Sequence, residues 1–187
     1  MKTYGRRIRL TPEEEDLIIS HRTTTNVGII GDTHEPFCHP EYRNFCYEVF
    51  NRFGCKEIVH IGDEVDNAAL SYHESELEMP NAIQEAEQAQ KGMEKWYSTF
   101  PDVKVCVGNH SALPFRQATT AGIPKRYLKT YEEIWNAPDG WKWKMEWEID
   151  NVLYVHGTGS SGVSGARNRA VANRQSTVIG HSHSFGG

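Results

Sequence analysis

Five short blocks of aspartate, asparagine and histidine recur along this chain of 187 residues, and each follows an apolar run. The blocks are Asp32-Thr33-His34, Gly62-Asp63-Glu64-Val65-Asp66, Gly108-Asn109-His110, His156-Gly157 and Gly180-His181-Ser182-His183. Oxygen and imidazole ligands without thiolates suit divalent ions such as Mn²⁺, Fe²⁺, Zn²⁺ or Co²⁺. One carboxylate can bridge two ions through its two oxygens, whereas one imidazole nitrogen cannot. Each block alone arises easily by chance, but the five in succession predict a metal site.

Three of the blocks end apolar runs that are rich in β-branched residues, namely Asn26–Asp32, Glu57–Asp63 and Val103–Asn109. Nearly continuous apolar runs of this length are typical of strands that are covered on both faces. Apolar residues at helical spacing fill Pro40–Phe53 and Asn81–Phe100 between them. The first half of the chain therefore predicts the order β-α-β-α-β and a largely parallel section of sheet. Ligands bind beyond the carboxyl ends of the strands in such sheets, which is where the blocks lie.

The second half of the chain has a less regular pattern, because proline and glycine interrupt residues 111–140. Trp141, Trp143 and Trp147 occupy alternating positions, which predicts that they pack on one face of a strand. The fold class that we expect is α/β with a mixed sheet. The further predicted elements are a helix near Lys125–Trp135, a hairpin of Trp143–Ile149 and Val152–His156 across Asp150-Asn151, a helix near 166–174 and a strand at Thr177–Gly180.

The composition is typical of a soluble globular protein, with 38% hydrophobic and 24% charged residues. A net charge of −5 argues against broad nonspecific binding of nucleic acid, which needs many contacts from Lys and Arg. No apolar stretch is long enough to span a membrane, and a cleaved secretory signal is not expected. The four cysteines form no CxxC pair, which favours reduced thiols and a cytoplasmic location. Thr11-Pro12-Glu13-Glu14 predicts the start of a short helix near the N-terminus.

The five blocks resemble the motifs of the calcineurin-like metallophosphoesterases, and the resemblance covers about residues 26–183. It implies a metallophosphoesterase domain over residues 26–187 after an N-terminal extension over 1–25, and a four-layer α/β/β/α sandwich with two mixed β-sheets. By position, it implies that Asp32, His34 and His183 bind the first metal ion, that Asn109, His156 and His181 bind the second, and that Asp63 bridges them. It also implies that Asp66 supports the structure or the contacts behind the ligands, and that His110 contacts the phosphoryl oxygens and protonates the leaving group.

The resemblance further implies a phosphoester hydrolase with two divalent metal ions, Mn²⁺ as first choice and Fe, Zn, Co or Ni as alternatives. Hydrolysis of phosphodiesters, and also of phosphomonoesters, would proceed by direct attack of a metal-bridging hydroxide with His110 as the acid. The expected substrate is a small phosphoester or one derived from nucleic acid. The alternatives are a phosphomonoesterase similar to the protein phosphatases, and a noncatalytic scaffold with the same fold.

Ser111 stands where the family usually has an acid after Gly-Asn-His. That acid commonly orients the histidine, so His110 is either less strongly oriented here or oriented by a carboxylate from elsewhere in the chain. His60, inside the second predicted strand, is expected to pack or to satisfy a hydrogen bond of the sheet. The candidates for binding the phosphate of the substrate are Arg116, Arg126 and Arg167, with a solvated surface position as the alternative for each.

Overall fold

A computed structural model describes residues 11–13, 26–72, 80–160 and 162–183 of the chain. Most of the helix predicted near the N-terminus lies outside these residues. Within them the chain is α/β, with one sheet of four strands and another of three. No helix of the described part is long and apolar enough to cross a membrane.

The first sheet is wholly parallel, and its strands follow one another in chain order. Long crossover connections are required between parallel neighbours, and here two of them contain the helices α1 (Tyr42–Arg52) and α2 (Ala82–Thr99). The predictions of three strands and two helices in the first half of the chain are therefore confirmed. The strands are β1 (Val27–Ile30), β2 (Glu57–His60), β3 (Val103–Cys106) and β4 (Trp141–Lys144).

Local sequence signals set the ends of the two crossover helices. Asn81 caps α2, because its side chain accepts hydrogen bonds from the backbone N–H groups of Ile83 and Gln84. The Gln84 side chain accepts in turn from the backbone N–H of Asn81, which completes a capping box. Gly54, just after the end of α1, has a φ of +60° and lets the chain turn towards β2.

The segment between β3 and β4 is more helical than the sequence predicted. Leu113–Thr120 forms a helix, α3, with Pro114 in its first turn. Proline is tolerated there because its missing N–H has no partner within the helix, so it did not break the segment. The single helix predicted near Lys125–Trp135 was wrong: the segment forms a 3₁₀ turn, Lys125–Tyr127, and a separate one-turn helix, α4 (Tyr131–Ile134).

The second sheet contains β5 (Glu146–Ile149), β6 (Val152–Val155) and β7 (Ser176–Ile179). β5 and β6 are antiparallel and β6 and β7 are parallel, and a helix, α5 (Gly165–Asn173), connects β6 to β7. Asp150 and Asn151 join β5 to β6 with φ angles of 51° and 61°. These angles are those of a two-residue hairpin turn, so the predicted hairpin is confirmed.

The prediction of one strand over Trp143–Ile149 was wrong, because the chain changes sheets inside that segment. Trp143 lies in β4 of the first sheet and Trp147 in β5 of the second, with the exposed Met145 between them. Trp141 and Trp143 accordingly pack in one apolar cluster and Trp147 in another. The single mixed sheet expected from the apolar pattern is therefore two sheets. Two sheets agree with what the resemblance implied, but only the second is mixed, because all strands of the first are parallel.

Two apolar clusters use alternate residues of the first sheet. Ile30, Val103 and Val105 pack with Met93 and Trp96 of α2, whereas Val59 and Cys106 pack with Tyr154 of β6. Successive strand residues point to opposite faces, so helices cover one face of the first sheet and the second sheet packs against the other. This packing holds the strand ends of both sheets in fixed relation to one another.

We expect Asn81→Ala to lower the free energy of unfolding by about 1 kcal/mol, because two backbone N–H groups of α2 lose their acceptor. Urea unfolding followed by tryptophan fluorescence measures this change. Asn81→Ser keeps a capping oxygen and is the matched control. An equal loss in both variants would contradict the capping role.

Candidate metal centre

The five sequence blocks lie just beyond the carboxyl ends of β1, β2, β3, β6 and β7. Ligand atoms from these blocks converge in three groups, and within each group they all lie within 4.8 Å of one another. The groups could each hold a metal ion. They are Asp32, His34 and His183; Asp63, His156 and His181; and His34, Asp66 and His110.

The first group is the set that the family resemblance assigns to the first metal ion. Nε2 of His183 lies 3.1 Å from Oδ2 of Asp32, and the rings of His34 and His183 are 5.3 Å apart. Oδ1 of Asp32 and Nε2 of His34 are buried and have no hydrogen-bond partner among the described residues. Buried polar atoms nearly always have a partner, so these two atoms fit a metal ion.

The second group contains Asp63 together with two of the three residues assigned to the second ion, and the third, Asn109, lies beside it. Nε2 of His156 is 3.0 Å from Oδ2 of Asp63 and 2.9 Å from Oδ1 of Asn109. The ring of His181 lies 5.1 Å from that of His156. All seven predicted ligands thus lie in one of these two neighbouring groups or against it.

Asp32 connects the two groups. Its Oδ1 lies 3.9 Å from Nδ1 of His156, and its Oδ2 accepts a hydrogen bond of 2.8 Å from the backbone N–H of His181. This close packing requires glycine at two positions, because a Cβ at Gly108 would collide with the Asp63 carboxylate and one at Gly180 with the Asp32 carboxylate.

The partners of the Nδ1 atoms identify the tautomers of two histidines. Nδ1 of His156 lies 3.1 Å from the carbonyl oxygen of Ile61, and Nδ1 of His34 lies 2.6 Å from Oδ1 of Asp66. Since these oxygens only accept, each Nδ1 carries a hydrogen, and Nε2 is the atom of each ring that can bind a metal ion. Histidines that bind metals usually donate their other N–H to a carbonyl or carboxylate in this way.

The charges of the second group favour a cation. Burial lowers the pKa of His156, but the hydrogen bond and the charge of Asp63 outweigh burial and raise it. Burial raises the pKa of Asp63, but His156 and His110 outweigh burial and lower it. His156 and Asp63 therefore form a hydrogen-bonded pair in which His156 supplies the positive charge, and a metal ion bound to both would replace that proton.

Four of the seven candidate ligands have left-handed backbone conformations. L residues avoid this region at a cost of about 1 kcal/mol each, and such conformations concentrate at functional sites. They therefore support a functional role for these loops. The φ angles are 48° at His34, 49° at Asp63, 65° at His181 and 46° at His183.

His110 lies beside the first group, with its ring 4.7 Å from that of His34. Its Nδ1 donates to the backbone oxygen of Asp66 at 2.6 Å and lies 3.2 Å from Oδ1 of the same residue. The hydrogen bond to Asp66 raises the pKa of His110 to about 9, against the effect of burial. A carboxylate from elsewhere in the chain therefore orients His110, which was one of the two alternatives that Ser111 left open.

Sequence reasoning missed a buried carboxyl behind the site. Glu64 is fully buried and accepts hydrogen bonds from Oγ of Ser111 at 2.6 Å and from Nε1 of Trp143 at 3.1 Å. Burial raises the pKa of Glu64 to about 7. The available signal was the acid directly after Asp63, together with Ser111 at the position where the resemblance implies an acid.

His60 ties the first two blocks together. Its Nδ1 accepts from the backbone N–H of Gly62 at 3.2 Å, and its Nε2 lies 3.0 Å from Oγ1 of Thr33. The Thr33 hydroxyl donates to the backbone oxygen of Glu64 at 2.9 Å, so it accepts from His60. Burial lowers the pKa of His60 to about 3. The prediction that His60 packs inside the fold is confirmed, but its side-chain hydrogen bonds join the loops beyond the strands and not the sheet.

The three candidate arginines are exposed and lie on separate elements. Arg116 is on α3, Arg126 in the 3₁₀ turn Lys125–Tyr127 and Arg167 on α5. Among the described residues, no hydrogen bond or ion pair joins any of them to a candidate ligand. Their role in substrate binding stays a prediction.

No family model, no curated protein and no solved structure matches this chain.

We expect the wild-type protein to retain two Mn²⁺ per chain after loading and desalting, measured by elemental analysis. Asp63→Ala and His156→Ala are each expected to retain one ion or fewer, because both residues belong to the second group. His39, which is exposed and outside all three groups, gives the matched control His39→Ala, with two ions. Two retained ions in Asp63→Ala would contradict the assignment of Asp63.

Proposed function

We propose that this protein is a metal-dependent phosphoester hydrolase of the calcineurin-like metallophosphoesterase type. Two divalent ions are its cofactors, with Mn²⁺ as the first candidate. Phosphodiesters are the preferred substrates and phosphomonoesters are also accepted. The assigned ligands are Asp32, His34 and His183 for one ion and Asn109, His156 and His181 for the other, with Asp63 between them.

One observation carries this proposal: atoms that can bind a metal ion converge at the strand ends, and two of them are buried without a hydrogen-bond partner. Nε2 of His34 and Oδ1 of Asp32 are buried and unpaired, and Nε2 of His156 lies about 3 Å from the oxygens of Asp63 and Asn109. This number of oxygen and imidazole ligands suits a borderline divalent ion. Two adjacent groups of this composition favour a dinuclear site over a single structural ion.

The packing of the sheets supports a four-layer sandwich. α1 and α2 pack with the first sheet, the second sheet packs on its other face, and α5 contacts β7. The order of layers is therefore α/β/β/α in our proposal. The carboxyl ends of strands from both sheets then share one edge, where an open cavity of about 250 Å³ lies against Asp32 and His183.

The bound metal pair would polarise the phosphoryl oxygens and lower the pKa of water. The residues of the chain supply the orientation. Asp66 holds His34 and His110 through one carboxylate, because Oδ1 lies 2.6 Å from Nδ1 of His34 and 3.2 Å from Nδ1 of His110. Asp63 accepts a hydrogen bond from the backbone N–H of His110 at 2.8 Å. This bond fixes the position of His110 relative to the candidate ligands.

His110 is the proton donor to the leaving oxygen in this proposal. Its Nδ1–H is engaged by the backbone oxygen of Asp66, so Nε2 is the atom that exchanges a proton with substrate. Protonation matters most when the leaving group is a poor one, such as an alkoxide. This favours phosphodiesters with alkyl or nucleoside leaving groups over activated aryl esters.

We propose the cytoplasm as the location. Cys38, Cys46, Cys55 and Cys106 are all free thiols, and thiols persist in reducing compartments.

We expect bis-p-nitrophenyl phosphate to be hydrolysed with Mn²⁺ at a higher kcat/KM than p-nitrophenyl phosphate. We further expect His110→Asn to lower kcat by about 100- to 10,000-fold on a diester with an alkoxide leaving group, since the proton donor is lost. The loss should be much smaller with a p-nitrophenyl leaving group. The two retained Mn²⁺ ions should be unchanged.

His39→Asn is the control and should leave all rates unchanged. Equal losses for both leaving groups would contradict the acid role of His110. Hydrolysis of the monoester alone would overturn the preference for diesters. If the protein binds two ions and hydrolyses no phosphoester, the proposed hydrolase function would be overturned.

A further inference from the structure

A second cavity of about 380 Å³ is lined by none of the candidate metal ligands. It begins at Ala112, two residues after His110, and lies between α3 and the segment that follows the 3₁₀ turn Ala68–Leu70. Its lining residues are Tyr72, Ala112, Phe115, Arg116, Thr119 and Thr120.

Hydrogen bonds tie both walls of this cavity to the site. The side chain of Asn67 donates to the backbone oxygen of His110 at 3.0 Å. The side chain of Gln117, on α3, donates to the backbone oxygen of Leu70 at 2.7 Å. The cavity therefore has a fixed position relative to His110, the proposed proton donor to the leaving oxygen.

The walls present an aromatic face and a cation. The Tyr72 side chain is 54% exposed, its hydroxyl lies 3.0 Å from Oγ1 of Thr120, and Cζ of Arg116 lies 5.6 Å from its ring centroid. No acidic side chain forms an ion pair with Arg116 in the described part of the chain. Phe115 lines the same cavity and is held by Tyr131, 4.6 Å away between ring centroids.

A second arginine–aromatic pair lies away from both cavities. Cζ of Arg52 lies 5.8 Å from the ring centroid of Phe53, which is 61% exposed. Phe53 accepts a hydrogen bond from Asn26, just before β1, and so lies at the opposite end of the sheet from His110. This pair lines neither of the two cavities and serves as a built-in comparison.

We propose that the cavity between Tyr72 and Arg116 binds the nucleoside leaving group of the substrate; this rests on the proposed phosphoesterase function. The base stacks on the Tyr72 ring, and the Arg116 guanidinium adds a cation–π contact or a hydrogen bond to the base. The hydroxyls of Thr119 and Thr120 donate to the backbone oxygens of Phe115 and Arg116, so their oxygens can still accept a hydrogen bond from an amino group of a base.

The test measures binding, so it does not depend on turnover. Calorimetry on the Mn²⁺-loaded protein compares three phosphonates whose P–C bonds resist hydrolysis: methylphosphonate, benzylphosphonate and the 5′-phosphonate analogue of adenosine monophosphate. The adenosine analogue should bind at least about tenfold more tightly than methylphosphonate. Tyr72→Leu should abolish this advantage and leave methylphosphonate binding unchanged, and Arg116→Gln should reduce it severalfold.

Phe53→Leu and Arg52→Gln are the matched controls, and both should bind the three ligands as the wild type does. Equal binding of the adenosine analogue and methylphosphonate, or equal effects of Tyr72→Leu and Phe53→Leu, would overturn the proposal. Equal binding of the benzyl and adenosine analogues would overturn the nucleoside assignment in favour of any aromatic group.

A separate arm distinguishes failure of this inference from failure of the hydrolase. Adenosine, which has no phosphate, should give a saturation-transfer NMR signal with wild type and not with Tyr72→Leu, whether or not metal is bound. If adenosine gives a signal that depends on Tyr72 but no phosphonate binds, the proposed nucleoside binding in the cavity is supported and the metal site is contradicted. If the adenosine signal is absent while methylphosphonate binds tightly, the metal site stands and the nucleoside cavity is contradicted.

Discussion

Buried acceptor atoms that lack donors are the constraint on which this structure depends. Oδ1 of Asp32 and Nε2 of His34 have no partner among the described residues, and the side chains of Asp63 and Asn109 each lie within about 3 Å of His156 beside them. An unsatisfied buried polar atom costs about 1–3 kcal/mol, and the left-handed ligands add to that cost. A cation that binds only the folded chain offsets such costs and stabilises the fold in proportion to its affinity.

The rest of the fold holds these atoms together. The parallel strands bring the first three blocks to one edge, and the second sheet brings His156 and His181 to the same place. Hydrogen bonds then hold the loops in place on the side away from the candidate ions. His60 bonds to Thr33 and Gly62, the carbonyl of Ile61 accepts from His156, and Asp66 accepts from His34 and His110. Apolar packing in the two clusters thus offsets the free-energy cost of holding these polar groups close together.

Features with local causes could be predicted from the sequence, and features with tertiary causes could not. The crossover helices and the Asp150-Asn151 hairpin follow from periodicity and turn chemistry within a few residues. α3 was missed because Pro114 was read as a break, and the change of sheet at Met145 has no local signal. The ligand blocks were found because each lies at a strand end, whereas the Glu64 contact with Trp143 joins residues 79 positions apart. The resemblance implied that Asp66 supports the ligands from behind, but its contacts with His34 and His110 needed the structure for the same reason.

The position of the metal ions tests the central claim most directly. Crystals grown with Mn²⁺ and measured near the manganese absorption edge give anomalous peaks at the ions alone. The account requires two peaks about 3.5–4 Å apart, one within reach of Asp32, His34 and His183, the other within reach of Asn109, His156 and His181, with Asp63 touching both. A single peak among His34, Asp66 and His110, or peaks that leave the seven ligands untouched, would contradict it.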